Sequence, residues 1–309
     1  MTTEVQAAGP LTRRSQAGDV VLAYISAQSG RLRALDLAVR RDEPDAIHQM
    51  RVTTRRLRAA LQAFPMVMLE PTAHLRDELR WLGQVLGDAR DAEVLEEYFE
   101  ERLASTPVEL VIGPAQARVA SHFAPAHAGT RDAVLGALDS ARYFGILHDL
   151  DRLLEEPLQT EAATQPAAEV LPKAVAHAYR RAKHRMHRAW RAPEGTPRDV
   201  ALHEARKAAK RARYAAEAVE PVFGKQARRF GKRMKAVQTV LGDQHDAVVA
   251  RGVAREIGVQ AHLAGENAFS FGLLNERAHR DALGYQRQAR KVWKRAARHK
   301  ARRWLSHQG

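Results

Sequence analysis

The chain has no cysteine among its 309 residues. Disulfide bonds, thiolate catalysis and zinc sites with cysteine ligands are therefore excluded. Aromatic residues make up only 6% of the chain, which favours a helical protein over a sheet protein. No segment approaches the roughly 20 apolar residues of a membrane span, and the N-terminus lacks the apolar core of a secretory signal. We therefore expect a soluble, cytoplasmic protein.

Lysine is absent from the first 160 residues, and charge is unevenly spread. Residues 1–160 hold 18 arginines and 23 acidic residues, whereas residues 161–309 hold 32 basic and 13 acidic residues. The net charges are −5 and +19 within a total of +14. Such an imbalance in a folded protein indicates an anionic partner: nucleic acid, an anionic membrane or a phosphate polymer. The alternative is a generally basic, soluble surface.

Two stretches of the chain resemble each other at an offset of 155 residues. Residues 46–64 read AIHQMRVTTRRLRAALQAF, and residues 201–219 read ALHEARKAAKRARYAAEAV. A second pair, LGDARDA from Leu86 and LGDQHDA from Leu241, keeps the same offset, as do Tyr24 and Tyr179. Two motifs in one register indicate two copies of one structural unit.

Helical periodicity runs through nearly the whole chain and predicts an all-α fold. The predicted helices are 17–41, 44–64, 72–86, 88–104, 115–127 and 129–155, then 169–191, 199–220, 224–241, 243–256, 260–282 and 284–305. Antiparallel helices with short turns predict two (four-)helix bundles related by a pseudo-twofold axis. The predicted units are a disordered N-terminus (1–15), a first repeat (16–156), a linker (157–170) and a second repeat (171–305).

Both repeated helices carry a cationic stripe separate from their apolar face. At 100° per residue, His48, Arg51, Arg55 and Arg58 fall within a sector of roughly 80°. The second copy presents His203, Arg206, Lys210 and Arg213 in the same way. Cations in line over three turns repel one another unless something neutralises them, so the pattern predicts an anionic ligand. A solvated basic face is the alternative.

Other helices add further cations. One face of residues 173–188 includes Arg180 and His184, and the next basic helix presents Arg228, Lys232 and Lys235. Arginine offers a planar fork of donors that matches phosphate oxygens in pairs. Several cationic stripes in one bundle predict a groove for a long, flexible, densely charged phosphate chain.

The duplicated histidines leave several roles open: anion contact, a structural hydrogen bond, a metal ligand or a phosphohistidine. The sequence has no G-x-x-x-x-G-K-[ST] loop and no G-x-G-x-x-G loop for a nucleotide, and neither His48 nor His203 has a second ligand at helical spacing. We therefore predict no metal and no cofactor. Asp88 and Asp243 are interpreted as helix caps after Gly87 and Gly242. An aspartate pair that binds Mg²⁺ is the alternative.

The two copies of H-x-x-R-x-x-x-[RK]-R-x-R, each followed by LG-x-x-x-D, resemble the CHAD family (conserved histidine α-helical domain). The resemblance extends from about residue 15 to residue 305. It implies one domain of two four-helix bundles around a basic cavity or pore. It also implies polyphosphate binding without catalysis, association with polyphosphate granules, and a stand-alone module with no room for a fused CYTH domain.

The resemblance, together with the added basic stripes, gives one set of candidate polyphosphate-binding residues. They are His48, Arg51, Arg55, Arg56, Arg58, Arg80, Arg180, His184, His203, Arg206, Lys207, Lys210, Arg211, Arg213, Arg228, Lys232 and Lys235. Because Lys207 stands where the first copy has Val52, and because of the charge split, we expect the second half to hold the ligand more strongly. The alternatives are a metal- and histidine-dependent polyphosphate-processing enzyme, a general nucleic-acid or polyanion binder, and a coat protein of polyester granules.

Overall fold

A computed structural model describes residues 10–68, 72–157 and 160–305, without the side chains of residues 88–91, 127, 128, 130 and 301. Eleven α-helices form within these residues, and the described residues contain no strand. The helices are α1 (Ala17–Arg40), α2 (Ala46–Ala63), α3 (Ala73–Ala104), α4 (Ala115–Ala128), α5 (Thr130–Leu138), α6 (Ala141–Glu155), α7 (Glu161–Thr164), α8 (Ala167–Arg191), α9 (Thr196–Ala218), α10 (Glu220–Leu263) and α11 (Phe269–Ala296). The all-α prediction is confirmed.

Several predicted helix breaks do not occur, among them the one between residues 256 and 260, where α10 continues to Leu263. Helix α3 passes through Gly87, and α10 passes through Gly242, so the interpretation of Asp88 and Asp243 as helix caps is wrong. A glycine weakens a helix by only about 1 kcal/mol, and tertiary packing overrides that cost. Helix α10 departs from helical geometry instead at Gly224, where φ is 50°, a value that suits a residue without Cβ.

Two other boundaries also differ from the prediction. The helix expected over 129–155 is broken at Ser140, whose hydroxyl accepts a hydrogen bond of 3.2 Å from the Tyr143 N–H and so caps α6. The break expected near Gly284 is absent, because α11 runs continuously to Ala296. The chain turns earlier, between Leu263 and Phe269. Glycine inside a helical pattern was therefore a poor guide to helix ends in this chain.

The segment between the halves is held against the start of the chain. The Ala17 N–H donates to the Gln165 carbonyl at 2.9 Å, and the Ala167 N–H donates to the Ser15 carbonyl at 2.8 Å. Within residues 10–15, predicted to be disordered, Ser15 is thus paired with the linker, as is Arg13, whose carbonyl accepts from the Ala168 N–H at 3.0 Å; residues 1–9 lie outside the described residues. The linker also contains α7, whose Ala163 is buried. It is therefore a packed connection.

A single main core joins the two halves. It contains residues of α1, α2 and α3 together with residues of α8, α9 and α10. A smaller apolar cluster lies where the end of α3 and α4 meet the hairpin of α10 and α11. No helix in the described part of the chain is long and apolar enough to cross a membrane. Because burial of apolar surface drives folding, the shared core holds the two repeats together as one unit.

Candidate polyanion-binding cavity

Four helices, α2 and α3 from the first half and α9 and α10 from the second, enclose a cavity of about 710 Å³. These helices carry the duplicated motifs, and α2 packs directly against α9. Eight lysine and arginine side chains line the cavity, with three histidines and, among the described residues, one carboxylate, Asp246. The cavity is therefore strongly cationic before any ligand enters.

The two faces of α2 explain how its basic residues reach the cavity. Met50, Leu57 and Leu61 are buried in the main core, and this apolar stripe fixes the rotation of the helix. The opposite stripe, which includes Arg51, Arg55 and Arg58, consequently faces the cavity. The apolar and basic stripes that the sequence separates thus face the core and the cavity, respectively.

Helix α9 is oriented in the same way by smaller residues. Leu202, Ala205, Ala209 and Ala212 are buried, and alanine allows neighbouring helices to approach closely because it has little volume beyond its backbone. The cavity face then presents a set of basic residues and one aromatic ring: His203, Arg206, Lys207, Lys210, Arg211 and Tyr214.

The two repeated motifs touch each other, and they do so in both halves. A Cβ atom at Gly87 would lie 3.1 Å from Arg51 Nη2, and one at Gly242 would lie 3.5 Å from Arg206 Nε. The glycine of each LG-x-x-x-D motif therefore makes room for the arginine of the H-x-x-R motif on the neighbouring helix. This contact is a physical reason for the coexistence of the two motifs, and it replaces the helix-break interpretation.

Ten of the predicted binding residues line the cavity. They are His48, Arg51, Arg55, Arg58, Arg80, His203, Arg206, Lys207, Lys210 and Arg211. Two of them also pair with neighbouring acids: Arg80 Nη2 lies 2.9 Å from Asp77 Oδ1, and Lys207 forms an ion pair with Glu204. Both pairs are at least partly exposed, so they leave these cations available to an entering anion.

Arg56 and Arg213 lie elsewhere, at a shared carboxylate. Arg56 Nε is 2.6 Å from Glu217 Oε1, and Arg213 Nη2 is 3.8 Å from Glu217 Oε2. Arg213 also donates to Gln238 Oε1 at 3.2 Å. The hydroxyl of Tyr24 is buried beside this group, and burial followed by the charge of Glu217 raises its pKa. Arg56 thus joins α2 to α9, and Arg213 joins α9 to α10.

The remaining predicted residues lie on the outer surface of the second half. Arg180 and His184 are exposed on α8, and Arg228, Lys232 and Lys235 are exposed on α10. Arg228 Nε lies 2.6 Å from Glu220 Oε1. None of the five lines the cavity. The basic stripes, which the sequence predicts to line one groove, therefore divide between an inner and an outer surface.

Charges from the two halves act on one another across the cavity. Burial and the charges of Arg80 and Arg211 lower the pKa of Arg58. Burial also lowers the pKa of Lys210, to about 6, assisted by Arg55 and Arg206. Arginine stays protonated in proteins, so most of this mutual repulsion persists in the free protein. An anion with several charges would relieve it.

Two of the three histidines that line the cavity, His48 and His203, have no described hydrogen-bond partner at Nδ1. Nδ1 of His48 and Nδ1 of His203 are both buried, with no hydrogen-bond partner among the described residues. The rings of His203 and His245 lie 4.1 Å apart, centroid to centroid. Burial, and then the charges of Lys207 and Arg206, lower the pKa of His203. His203 is therefore held neutral more strongly than an ordinary histidine.

Carboxylates are sparse around the cavity. Burial raises the pKa of Asp243, partly offset by Arg206, and the side chains of Asp88 and Asp91 lie outside the described residues. Among the residues whose side chains are described, no three His, Asp or Glu residues lie together in a way that would hold a metal ion. Asp199, which is not in the cavity lining, accepts hydrogen bonds from Gln244 at 2.8 Å and from Gln286 at 3.0 Å. These bonds connect α9 to α10 and α11, so the role of Asp199 is structural.

Sequence reasoning missed two residues that shape the site. Glu217 withdraws one arginine of each repeat from the cavity, and Gln62, at the equivalent position of the first repeat, lines the cavity without charge. A signal was present, because an acidic residue at i+4 from Arg213 is a common helical ion pair. The contact with Arg56 was not readable, since it depends on how α2 crosses α9.

The sequence profile of the CHAD domain matches residues 23–255. The chain therefore belongs to the CHAD domain family. Two Mycobacterium tuberculosis proteins, uncharacterized protein MT2285 of strain CDC 1551 / Oshkosh and uncharacterized protein Rv2226 of strain ATCC 25618 / H37Rv, are each 38% identical to it over 261 residues. The match covers 83% of this chain and 49% of each relative. The chain thus spans about half the length of the curated relatives it matches.

Two solved structures share the fold. PptA from Streptomyces chartreusis aligns with a TM-score of 0.74 and 22% identity, over 91% of this chain and 100% of PptA. The CHAD domain from the plant Ricinus communis aligns with a TM-score of 0.63 and 25% identity, over 100% of this chain and 98% of that domain. Family membership indicates polyphosphate-related binding at the level of the family.

Proposed function

We propose that this chain binds inorganic polyphosphate in the cavity between its two repeats and does not act on it catalytically. The observation that carries the proposal is the convergence of eight lysine and arginine side chains from both halves on one cavity of about 710 Å³. Polyphosphate carries about one negative charge per phosphate and has no base to recognise. A site for it needs many cations and few aromatic platforms.

The make-up of the cavity favours polyphosphate over nucleic acid. Proteins that bind single strands stack bases on aromatic side chains, and Tyr214 is the one aromatic residue among the described residues of the lining. The arginines can grip consecutive phosphates through paired donors. Association with polyphosphate granules follows as the expected localisation, because the granule surface offers the same polymer at high local density.

A polyphosphate-processing enzyme is the second candidate, and its support is the pair of adjacent rings of His203 and His245 in the cavity. Phosphate release from polyphosphate in the presence of Mg²⁺ or Mn²⁺ would favour it. We expect no release above that of a charge-reversed variant, since the described carboxylates do not cluster beside these rings. Release that disappears in His203→Gln would contradict the non-catalytic proposal.

The test of binding is calorimetric titration with long-chain polyphosphate, tripolyphosphate and single-stranded RNA at two salt concentrations. Long polyphosphate should bind most tightly, with affinity that falls steeply as salt rises because each neutralised phosphate releases counterions. Equal affinity for RNA at equal charge would reduce the cavity to part of a general electrostatic surface.

A charge-reversal experiment tests whether the cavity is the binding site. Arg206→Glu, Lys210→Glu and Arg211→Glu together should abolish binding, because all three line the cavity. The matched control is Lys225→Glu, Arg229→Glu and Lys291→Glu, which changes net charge equally at exposed positions. Similar losses in both triple variants, with helicity preserved, would contradict the placement of the site.

A further inference from the structure

Lys210 differs from every other lysine of this chain in its surroundings. The sequence has ten lysines, and nine of them are exposed, whereas Lys210 is half-buried in the cavity. It makes no hydrogen bond or ion pair with a described residue. Its counterpart in the first repeat, 155 residues earlier, is Arg55. At this position of the repeated motif, the second copy thus has a lysine, which can lose its proton, and the first copy has an arginine, which cannot.

The titratable and charged groups that line the cavity with Lys210 come from all four of its helices. They are Arg51, Arg55, Arg58 and His48 from α2, Arg80 from α3, His245 and Asp246 from α10, and His203, Arg206, Lys207 and Arg211 from its own helix. The described charges are therefore mostly positive. Burial and four of these arginines lower the pKa of Lys210 to about 6. Since the arginines cannot release a proton, repulsion in the free cavity is relieved at the lysine.

We propose that Lys210 is the proton-uptake site of the cavity: its side chain is a neutral amine in the ligand-free protein and becomes an ammonium when a polyphosphate segment enters. The amine takes one proton from solvent, and the phosphate oxygens supply the negative charge that compensates the new ammonium. This inference rests on the proposed function. It adds that the bound cavity carries one more cation than the free cavity.

Proton uptake makes binding depend on pH in a definite direction. At pH 7 a polyphosphate segment that fully protonates Lys210 would bind with uptake of roughly 0.9 proton at this site. Above pH 6 the affinity should fall as pH rises, by up to about tenfold per pH unit, until the raised pKa of the complex is passed. Below pH 6 Lys210 is already charged, so its share of the pH dependence disappears.

The experiment is titration of wild-type protein and Lys210→Arg with long-chain polyphosphate at pH 7 and pH 8, in buffers of different ionisation enthalpy. The dependence of heat on buffer gives the number of protons taken up. Lys210→Arg should take up nearly one proton fewer than wild type, and its affinity at pH 8 should exceed that of wild type. The control is Lys173→Arg, which changes an exposed lysine on α8 and should match wild type. Protons taken up or released by the terminal phosphates of the ligand are the same for every protein, so they cancel in the comparison.

His203 and His245 line the same cavity, so His203→Gln and His245→Gln are measured alongside, and any change in proton uptake that they cause is subtracted. Equal proton uptake by wild type and Lys210→Arg would overturn the inference while leaving polyphosphate binding intact. A titration of wild-type protein with ¹³C-labelled lysine gives a second reading: a Lys210 resonance that titrates above pH 9 without ligand would overturn it as well. Absence of binding at any pH would instead refute the proposed function, and this inference with it.

Discussion

The two halves of the molecule contribute equally to the cavity although they differ widely in total charge. Among the described residues, each half supplies four lysine or arginine side chains to the lining, whereas the halves carry net charges of −5 and +19. The surplus of the second half lies on its exterior, along α8, α10 and α11. Net charge therefore describes the outer surface of this protein, and it does not describe the cavity.

Equal numbers are reached by different residues. In the first half, Arg58 and Arg80 face the cavity while Arg56 is held by Glu217. In the second half, Arg211 faces the cavity while Arg213 turns to Glu217 and Gln238. The repeats are related in sequence, but one acidic residue on α9 redistributes the arginines of both. Duplicated motifs thus preserve the kind of site without preserving the role of each position.

The largest expected effect comes from reversing the charge of either half-site. Arg51→Glu, Arg55→Glu and Arg58→Glu together should weaken binding of long polyphosphate at least about 100-fold, and the second-half triple described above should do the same. Titration calorimetry at one salt concentration would compare them. A much larger loss in the second-half variant would mean that the second half-site holds the ligand more strongly than the first.

Glu217→Gln should have the next largest effect, on stability. It leaves the largely buried side chains of Arg56 and Arg213 without their carboxylate, and loss of one partner from such a group costs about 1–3 kcal/mol in the free energy of unfolding. Chemical denaturation measures it. The reciprocal variant, Gln62→Glu, places a carboxylate in the cavity and should instead weaken polyphosphate binding. Unchanged stability in Glu217→Gln would show that solvent already screens these charges.

The comparison between the halves also shows how far sequence reasoning reached. The repeat offset and the separation of basic from apolar stripes sufficed for the all-α fold and for bringing α2 and α9 to one site. Gly87 and Gly242 were misread because a glycine in a helical pattern has two explanations, a break or a close approach, and only the neighbouring helix distinguishes them. The role of Arg56 depends on the crossing of α2 and α9, which the sequence does not encode locally.

A smaller effect is expected at the two glycines. In Gly87→Ala the new Cβ would lie 3.1 Å from Arg51 Nη2, so the guanidinium must shift; in Gly242→Ala the distance to Arg206 Nε is 3.5 Å, an ordinary contact. Each substitution also improves helix propensity by up to about 1 kcal/mol. We expect Gly242→Ala to be the more stable variant and Gly87→Ala to bind polyphosphate several-fold more weakly. Chemical denaturation would measure the stability of the two variants, and calorimetry would measure their affinity for polyphosphate. Equal stability and equal affinity in the two variants would argue against the glycine–arginine contact.

The smallest expected effect concerns the pH dependence of stability at His203. Because burial, Lys207 and Arg206 lower its pKa in the folded protein, the unfolded chain binds the proton more readily. The contribution of His203 to stability is therefore present above its unfolded pKa of about 6.5 and is lost as pH falls. Denaturation between pH 5 and pH 7.5 should show a shallower loss of stability in His203→Gln than in wild type.

His245→Arg gives the second half the residue found at position 90 of the first. It should steepen the loss of stability, because a permanent positive charge then lies beside the imidazole of His203. A wild-type slope in both variants would show that the cavity does not lower the pKa of His203.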